Sequence, residues 1–333
     1  DVITFPRSVR GSYAFSSTAN FLSGVYNNAG FAQTFGITEL GQTNPNLGVY
    51  AQDEWKISPD VTLNLGLRYD LQFLETIHTD TNNVSPRLGI AWSPSESRRT
   101  IVRGGAGLFY DRVPLRAVAN ALMSAGNTTD VTALRQYVVS LSPTQAGAPV
   151  FPNILTAAVP LVTLPNLTTM DAGLQSAVSR QVSAEIEQQL GASTTLGVGY
   201  QYLDGSNLLM SVNQNVPTCL ASGTNNGCRP NARFANNSQY SSAGDSTYHG
   251  LHVSLSQHTA KWGQYRVSYT LSKAMNNVGE FFFSSPIDPT DLSRDWGRSD
   301  NDQRHRLVFN GSLRSSLEPA DGLWEHLTHG FQF

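Results

Sequence analysis

The chain has 333 residues, more than one ordinary soluble core holds, and is 40% hydrophobic but only 14% charged, against ~25% charged residues in an average globular protein. Its 22 basic and 25 acidic residues leave a net charge of −3, too small to imply a nucleic-acid partner. No stretch approaches the roughly 20 consecutive apolar residues of a membrane-crossing helix.

Before residue 47 the pattern is weak. Residues 7–15, with Val9, Gly11, Tyr13 and Phe15 in alternation, and residues 30–39 read as two strands. Residues 18–24 between them read as a short helical turn on the short-turn side. From residue 47 the signal is strong. In 47–57, Val49, Ala51, Trp55 and Ile57 share one face, and Tyr50, Gln52, Glu54 and Lys56 the other. A tight turn, Ser58-Pro59-Asp60, leads into 61–71, where proline pre-sets φ. There Val61, Leu63, Leu65, Leu67 and Tyr69 alternate with Thr62, Asn64, Gly66, Arg68 and Asp70. Such a run has about the length of a membrane-spanning strand.

The rhythm continues. A polar loop, 74–82, precedes strands 83–92 and 100–111, which are joined by the short turn 93–99. The connection 112–178 is very long. Strands 179–190 and 194–204 meet at the short turn 191–193, the long loop 205–246 follows, and strands 247–258 and 264–274 meet at the short turn 259–263. The long acidic loop 275–302 leads to strand 303–315. Antiparallel strands that all cross one slab place every other connection on the same side. Here every long loop falls on one side and every short turn on the other, which a soluble β protein has no reason to obey. Outer-membrane barrels have this asymmetry, with short periplasmic turns and long extracellular loops. The expected fold is therefore all-β, an antiparallel transmembrane β-barrel.

Parity also sorts the side chains. Trp55, Trp92 and Tyr265 fall outward near the short-turn end, and Tyr69, Tyr110, Tyr200 and Tyr202 outward near the long-loop end. These would form two aromatic girdles against outer-membrane lipid. Arg68, Arg87, Arg103, Arg266, Arg306 and Arg314 fall inward. In lipid they would be costly; in a wet lumen they can contact a plug or a solute, or form a structural charge ladder with Glu54 and Asp70.

Other constellations carry less. Cys219 and Cys228 share one Gly/Asn-rich loop, which points to a local disulfide and an oxidising compartment, the other reading being two free thiols. Gly104, Gly105 and Gly107 lack the following helix that a phosphate loop needs; small residues here suit a bending strand. His252 and His258 share a face and His249 takes the other, so three metal ligands cannot converge from that strand. Asp288, Asp291, Asp295, Asp300 and Asp302 lack the spacing and glycine of a calcium loop and read as a solvated loop paired with Arg294 and Arg298. No nucleophile elbow or metalloprotease helix is present. No enzyme, cofactor or metal site is expected.

Four blocks resemble TonB-dependent outer-membrane receptors. Residues 48–69, GVYAQDEWKISPDVTLNLGLRY, resemble the barrel signature of that family. Residues 101–112 (IVRGGAGLFYDR), 248–276 (YHGLHVSLSQHTAKWGQYRVSYTLSKAMN) and 300–309 (DNDQRHRLVF) resemble the Oar-like branch, and the blocks occur in family order. The resemblance implies a barrel of about 22 strands, of which this chain would be a fragment of about 11–12 strands in one barrel domain, with two open edges prone to aggregation. It also implies a solute bound at the extracellular loops and passed through the lumen, with energy from the TonB complex acting on a plug that is not in this sequence. The location would be the outer membrane of a Gram-negative bacterium. The alternatives are a passive porin or surface adhesin barrel without energy coupling and, last, a secreted β-rich enzyme or binding sandwich. The solute is not legible.

Overall fold

The computed structural model describes residues 2–4, 8–75, 77–125, 134–156, 164–219, 228–260, 263–279 and 285–313. The chain begins with β1 (Val2–Thr4), β2 (Ser12–Tyr13), α1 (Thr18–Ser23), β3 (Phe31–Gly36) and β4 (Glu39–Gly41). Four long strands follow: β5 (Asn46–Ser58), β6 (Val61–Gln72), β7 (Val84–Trp92) and β8 (Thr100–Tyr110). The next connection holds α2 (Leu115–Ala125), β9 (Gln136–Leu141) and β10 (Leu167–Met170). Then come β11 (Val178–Gln189), β12 (Thr194–Asn213), β13 (Asn237–Ala260) and β14 (Gly263–Asn276). A 3-10 turn (Leu292–Asp295), β15 (Gly297–Arg298) and β16 (His305–Leu313) complete the described chain.

The long strands make one 11-stranded sheet in chain order, β5 to β8 and then β11 to β14. β16 pairs with β14 over 263–271, β15 pairs with it at 275–276, and β10 joins β13 in parallel. Every other neighbour pair in this sheet is antiparallel. The sheet is open: among the described residues β5 and β16 have one neighbour each.

The short turns interlock at one end of the sheet. Ser93 N donates to Asp60 O at 2.8 Å, and the Arg98 guanidinium lies 3.5 Å from the Asp60 carboxylate. Gln189 N donates to Arg99 O at 2.7 Å, tying the third turn to the second.

The opposite end differs from expectation. Residues 7–15 and 30–39 are not strands of the large sheet. Ser12–Tyr13 and Phe31–Gly36 join β9, from the long connection, in a separate 3-stranded sheet. Its core is aromatic: Phe31 is fully buried, and Tyr13 packs edge-on against Tyr26 and Phe151. Burial raises the Tyr13 and Tyr26 hydroxyls above their ordinary pKa. The expected helical turn exists as α1, capped by Ser17 Oγ accepting from Asn20 N at 3.1 Å and closed by Gly24 at φ 70°. It lies at the long-loop end, since Phe21 rests on Phe151 from the long connection.

The connection expected as loop 112–178 thus has its own structure. Pro114 opens α2, and Ala117, Val118, Ala121 and Leu122 bury one face against Leu74, Met170, Leu174 and Tyr240. The loop expected over 205–246 is shorter, because β12 runs on to Asn213 and β13 starts at Asn237. At 20 and 24 residues, these two strands are about twice the roughly 9–11 residues that cross a bilayer. Their extensions stand beyond the slab at the long-loop end, and β10 and α2 pack on them.

Leu122 is buried in this cluster, so Leu122→Ala is expected to cost about 2–5 kcal/mol locally. Amide exchange in α2 and β10 should quicken while the β6–β7 ladder is unchanged; equal quickening in both would contradict an independent loop-end core.

Candidate functional site

The pairing register defines two faces. Along one, Trp55 lies opposite Leu63, then Ile90, Gly104, Ala184, Tyr200, Leu251 and Leu271 on successive strands. Leu65, Leu88, Ala106, Val182 and Tyr202 form the next row. Trp55, Tyr69, Trp92, Tyr110, Tyr200, Tyr202 and Tyr265 all share this apolar face by register. Trp92 lies at the strand end entering the short turn 93–99, Trp55 and Tyr265 lie within a few residues of theirs, and Tyr69 and Tyr110 lie near the long-loop ends of β6 and β8.

The apolar face carries polar features that alternation alone did not single out. Asp53 interrupts it opposite Leu65. Near the long-loop end Arg180 binds Asp204 at 2.7 Å. Tyr200 Oη and His249 Nδ1 are 2.7 Å apart, and Tyr269 Oη and His305 Nδ1 2.8 Å apart. Both are diagonal cross-strand pairs of the same geometry.

The other face holds the arginines. Arg87 pairs with Gly66 and Gly107, Arg68 with Tyr50 and Ser85, Arg103 with Ala91 and Glu185, Arg266 with Ser256 and Asn310, and Arg306 with Thr270. Arg314 lies outside the described residues. Arg68 is held bidentately by Asp70 at 2.6 and 2.8 Å, Arg87 stacks 4.5 Å over the Phe109 ring, and Arg103 donates to Glu187. Of these arginines, among the described residues only Arg68 and Arg87 come together, in a small basin of about 260 Å³ with Asp111 and Arg112 at the long-loop end. His252 lies on this face, with Nδ1 3.3 Å from Thr270 Oγ1 and away from His249. Among the described residues no group of three metal-ligating side chains occurs.

The long-loop end is stapled from within. Cys219 and Cys228 are joined to each other, and Thr218 N and Oγ1 donate to Cys228 O at 3.0 and 2.9 Å. Asn215, whose role spacing could not reveal, donates from Nδ2 to the carbonyls of Asn231, Phe234 and Ala235. Arg229 donates to Asn215 O and Ala235 O. In the acidic loop, Asp288 accepts from Thr290 N and Oγ1 and from Arg294, and Asp295 accepts from Ile287 N. A larger cavity, about 690 Å³, opens between α2, β9, β10 and the extensions of β12 and β13.

The sequence profile of the outer membrane beta barrel domain family matches residues 2–76 and 74–333. The chain belongs to this family. It is similar to the TonB-dependent transporter Oar of Myxococcus xanthus, 37% identical over 84 residues, which are 24% of this chain and 8% of Oar. In fold it is similar to the outer membrane transporter YddB from Escherichia coli, with TM-score 0.57 at 13% identity, over 91% of this chain and 34% of YddB. The chain therefore spans about a third of the length of that solved transporter. As a family member, it is an outer-membrane β-barrel segment of a Gram-negative bacterium.

The Thr290 hydroxyl and amide, with Arg294, hold the Asp288 carboxyl below its ordinary value of 3.8. A depressed carboxylate stabilises the loop fully above the unfolded value and loses that effect as pH falls through the folded one. The 285–298 loop should therefore loosen below about pH 4. Asp288→Asn should bring the same looseness at pH 7, read as faster protease cleavage; unchanged cleavage in both cases would contradict the assignment.

Proposed function

We propose that this chain is part of a TonB-dependent transporter that binds a solute at its long loops and passes it along the arginine face. The apolar, aromatic-edged face then meets outer-membrane lipid, and the arginine face lines the lumen. The long-loop end is extracellular and the short turns periplasmic. The observation that carries this reading is the division of one sheet into an apolar and an arginine-bearing face, capped at one end only by folded connections. Arginines at strand centres would be costly in lipid and are accommodated in a wet lumen beside a plug or solute. Energy would come from the TonB complex, which the likeness to the TonB-dependent transporter Oar brings in, acting on a plug outside this sequence. The aromatic girdles, and Cys219–Cys228 as a brace for the 214–236 loop, belong to the same reading.

The test uses the full-length gene product in planar lipid bilayers, with a parallel binding assay against the periplasmic domain of TonB. A plugged, energy-coupled transporter gives no steady conductance and binds TonB. A steady open channel without TonB binding would contradict the proposal and leave a passive porin.

A further inference from the structure

The cavity at the long-loop end differs in kind from the arginine basin. Among the described residues its lining includes no Asp, Glu, Lys, Arg or His, whereas the basin is built from Arg68, Asp70, Arg87, Asp111 and Arg112. The lining is hydroxyl and amide instead. Tyr137, Ser140, Thr168, Ser211 and Ser238 all face it, and their hydroxyls have no hydrogen-bond partner among the described residues. Ser211 is 4% exposed. These hydroxyls open to the cavity, where a water or a ligand can complete them.

A hydroxyl or an amide both donates and accepts. A lining of such groups suits a ligand whose own groups do both, which is the property of sugar hydroxyls. The Tyr137 ring and the apolar Val138 and Leu164 supply a surface for the C–H face of a pyranose. An anionic chelate or a phosphate ester needs charge-assisted donors, above all arginine and lysine. In this cavity its charge would be desolvated without a partner. The volume, about 690 Å³, lies in the ~300–1,000 Å³ range of small-ligand sites.

We infer that this cavity is the solute site of the loop end, and that it takes a neutral, polyhydroxylated ligand of oligosaccharide size. This rests on the transporter reading only for what happens after binding.

The experiment is calorimetric titration of the full-length gene product in detergent with maltotriose, cellotriose and xylotriose, and with ferric enterobactin as the anionic probe. At least one trisaccharide should bind, with an affinity unchanged between low and high salt because no ion pair is involved. Ser211→Ala, a small change that leaves packing intact, should weaken binding about 5–10-fold. Ser238→Phe should abolish it by filling the cavity. Failure of all three sugars would overturn the inference, as would sugar binding indifferent to both substitutions. Ferric enterobactin binding that Ser238→Phe removes would overturn the neutral class while leaving transport standing. Sugar binding in a protein that conducts steadily and ignores TonB would leave the site standing and remove the transport reading.

Discussion

Inside hydrocarbon a peptide group has no water to bond, so every N–H and C=O must find a partner in the protein. The ladder from β5 to β16 is the form that this constraint takes here. The long strands β5 to β8 and β11 to β14 are bonded to their neighbours in chain order, β8 meets β11 in a complete antiparallel register from Val178–Tyr110 to Gln188–Thr100, and β16 pairs with β14 past the short β15. Among the described residues, β5 and β16 each have one neighbour in the ladder.

Once the backbone is committed to the ladder, the side chains have only two directions. Period-two alternation then separates an aliphatic and aromatic face from an arginine-bearing face without further instruction. Arg68, Arg87 and Arg103 are individually restrained, by Asp70, Phe109 and Glu187 respectively. Polar chemistry is concentrated where the slab ends. The extended β12 and β13 give the connections a scaffold, α2 and β10 cover it, and the resulting cavity is lined by uncharged groups among the described residues. On the proposed reading, charge in the sheet solvates a passage and the cavity selects by hydrogen bonding.

The sheet was legible in the sequence because its signal is local and repeated. Val61 to Asp70 alternates without a fault, and Ser58-Pro59-Asp60 marks the turn. The loop end was not, for three physical reasons. Alternation in 30–39 shows that the segment is extended but not which sheet it joins, and β9 is more than 90 residues away. The continuation of β13 is written largely in Ser, Gly and Asn, and that of β12 carries Leu208, Leu209 and Met210 in a row without alternation, so both read as loop. The helix α2 did leave a signal, with Pro114 followed by apolar residues at 115, 118, 121 and 122, that was hidden inside a connection treated as unstructured. The cavity could not be read at all, because its lining is assembled from residues between Asn120 and Ser285 that no spacing relates.

The central claim is that one face of the sheet meets lipid and the other water. The most direct measurement places a nitroxide at successive positions of β6, at Thr62, Leu63, Asn64, Leu65, Leu67 and Arg68. The full-length protein is studied in bilayers, with Cys219 and Cys228 replaced by serine. Labels at 63, 65 and 67 should be quenched by oxygen dissolved in the lipid, and labels at 62, 64 and 68 by a water-soluble nickel chelate. Equal exposure to both quenchers along the strand, or the opposite alternation, would contradict the account.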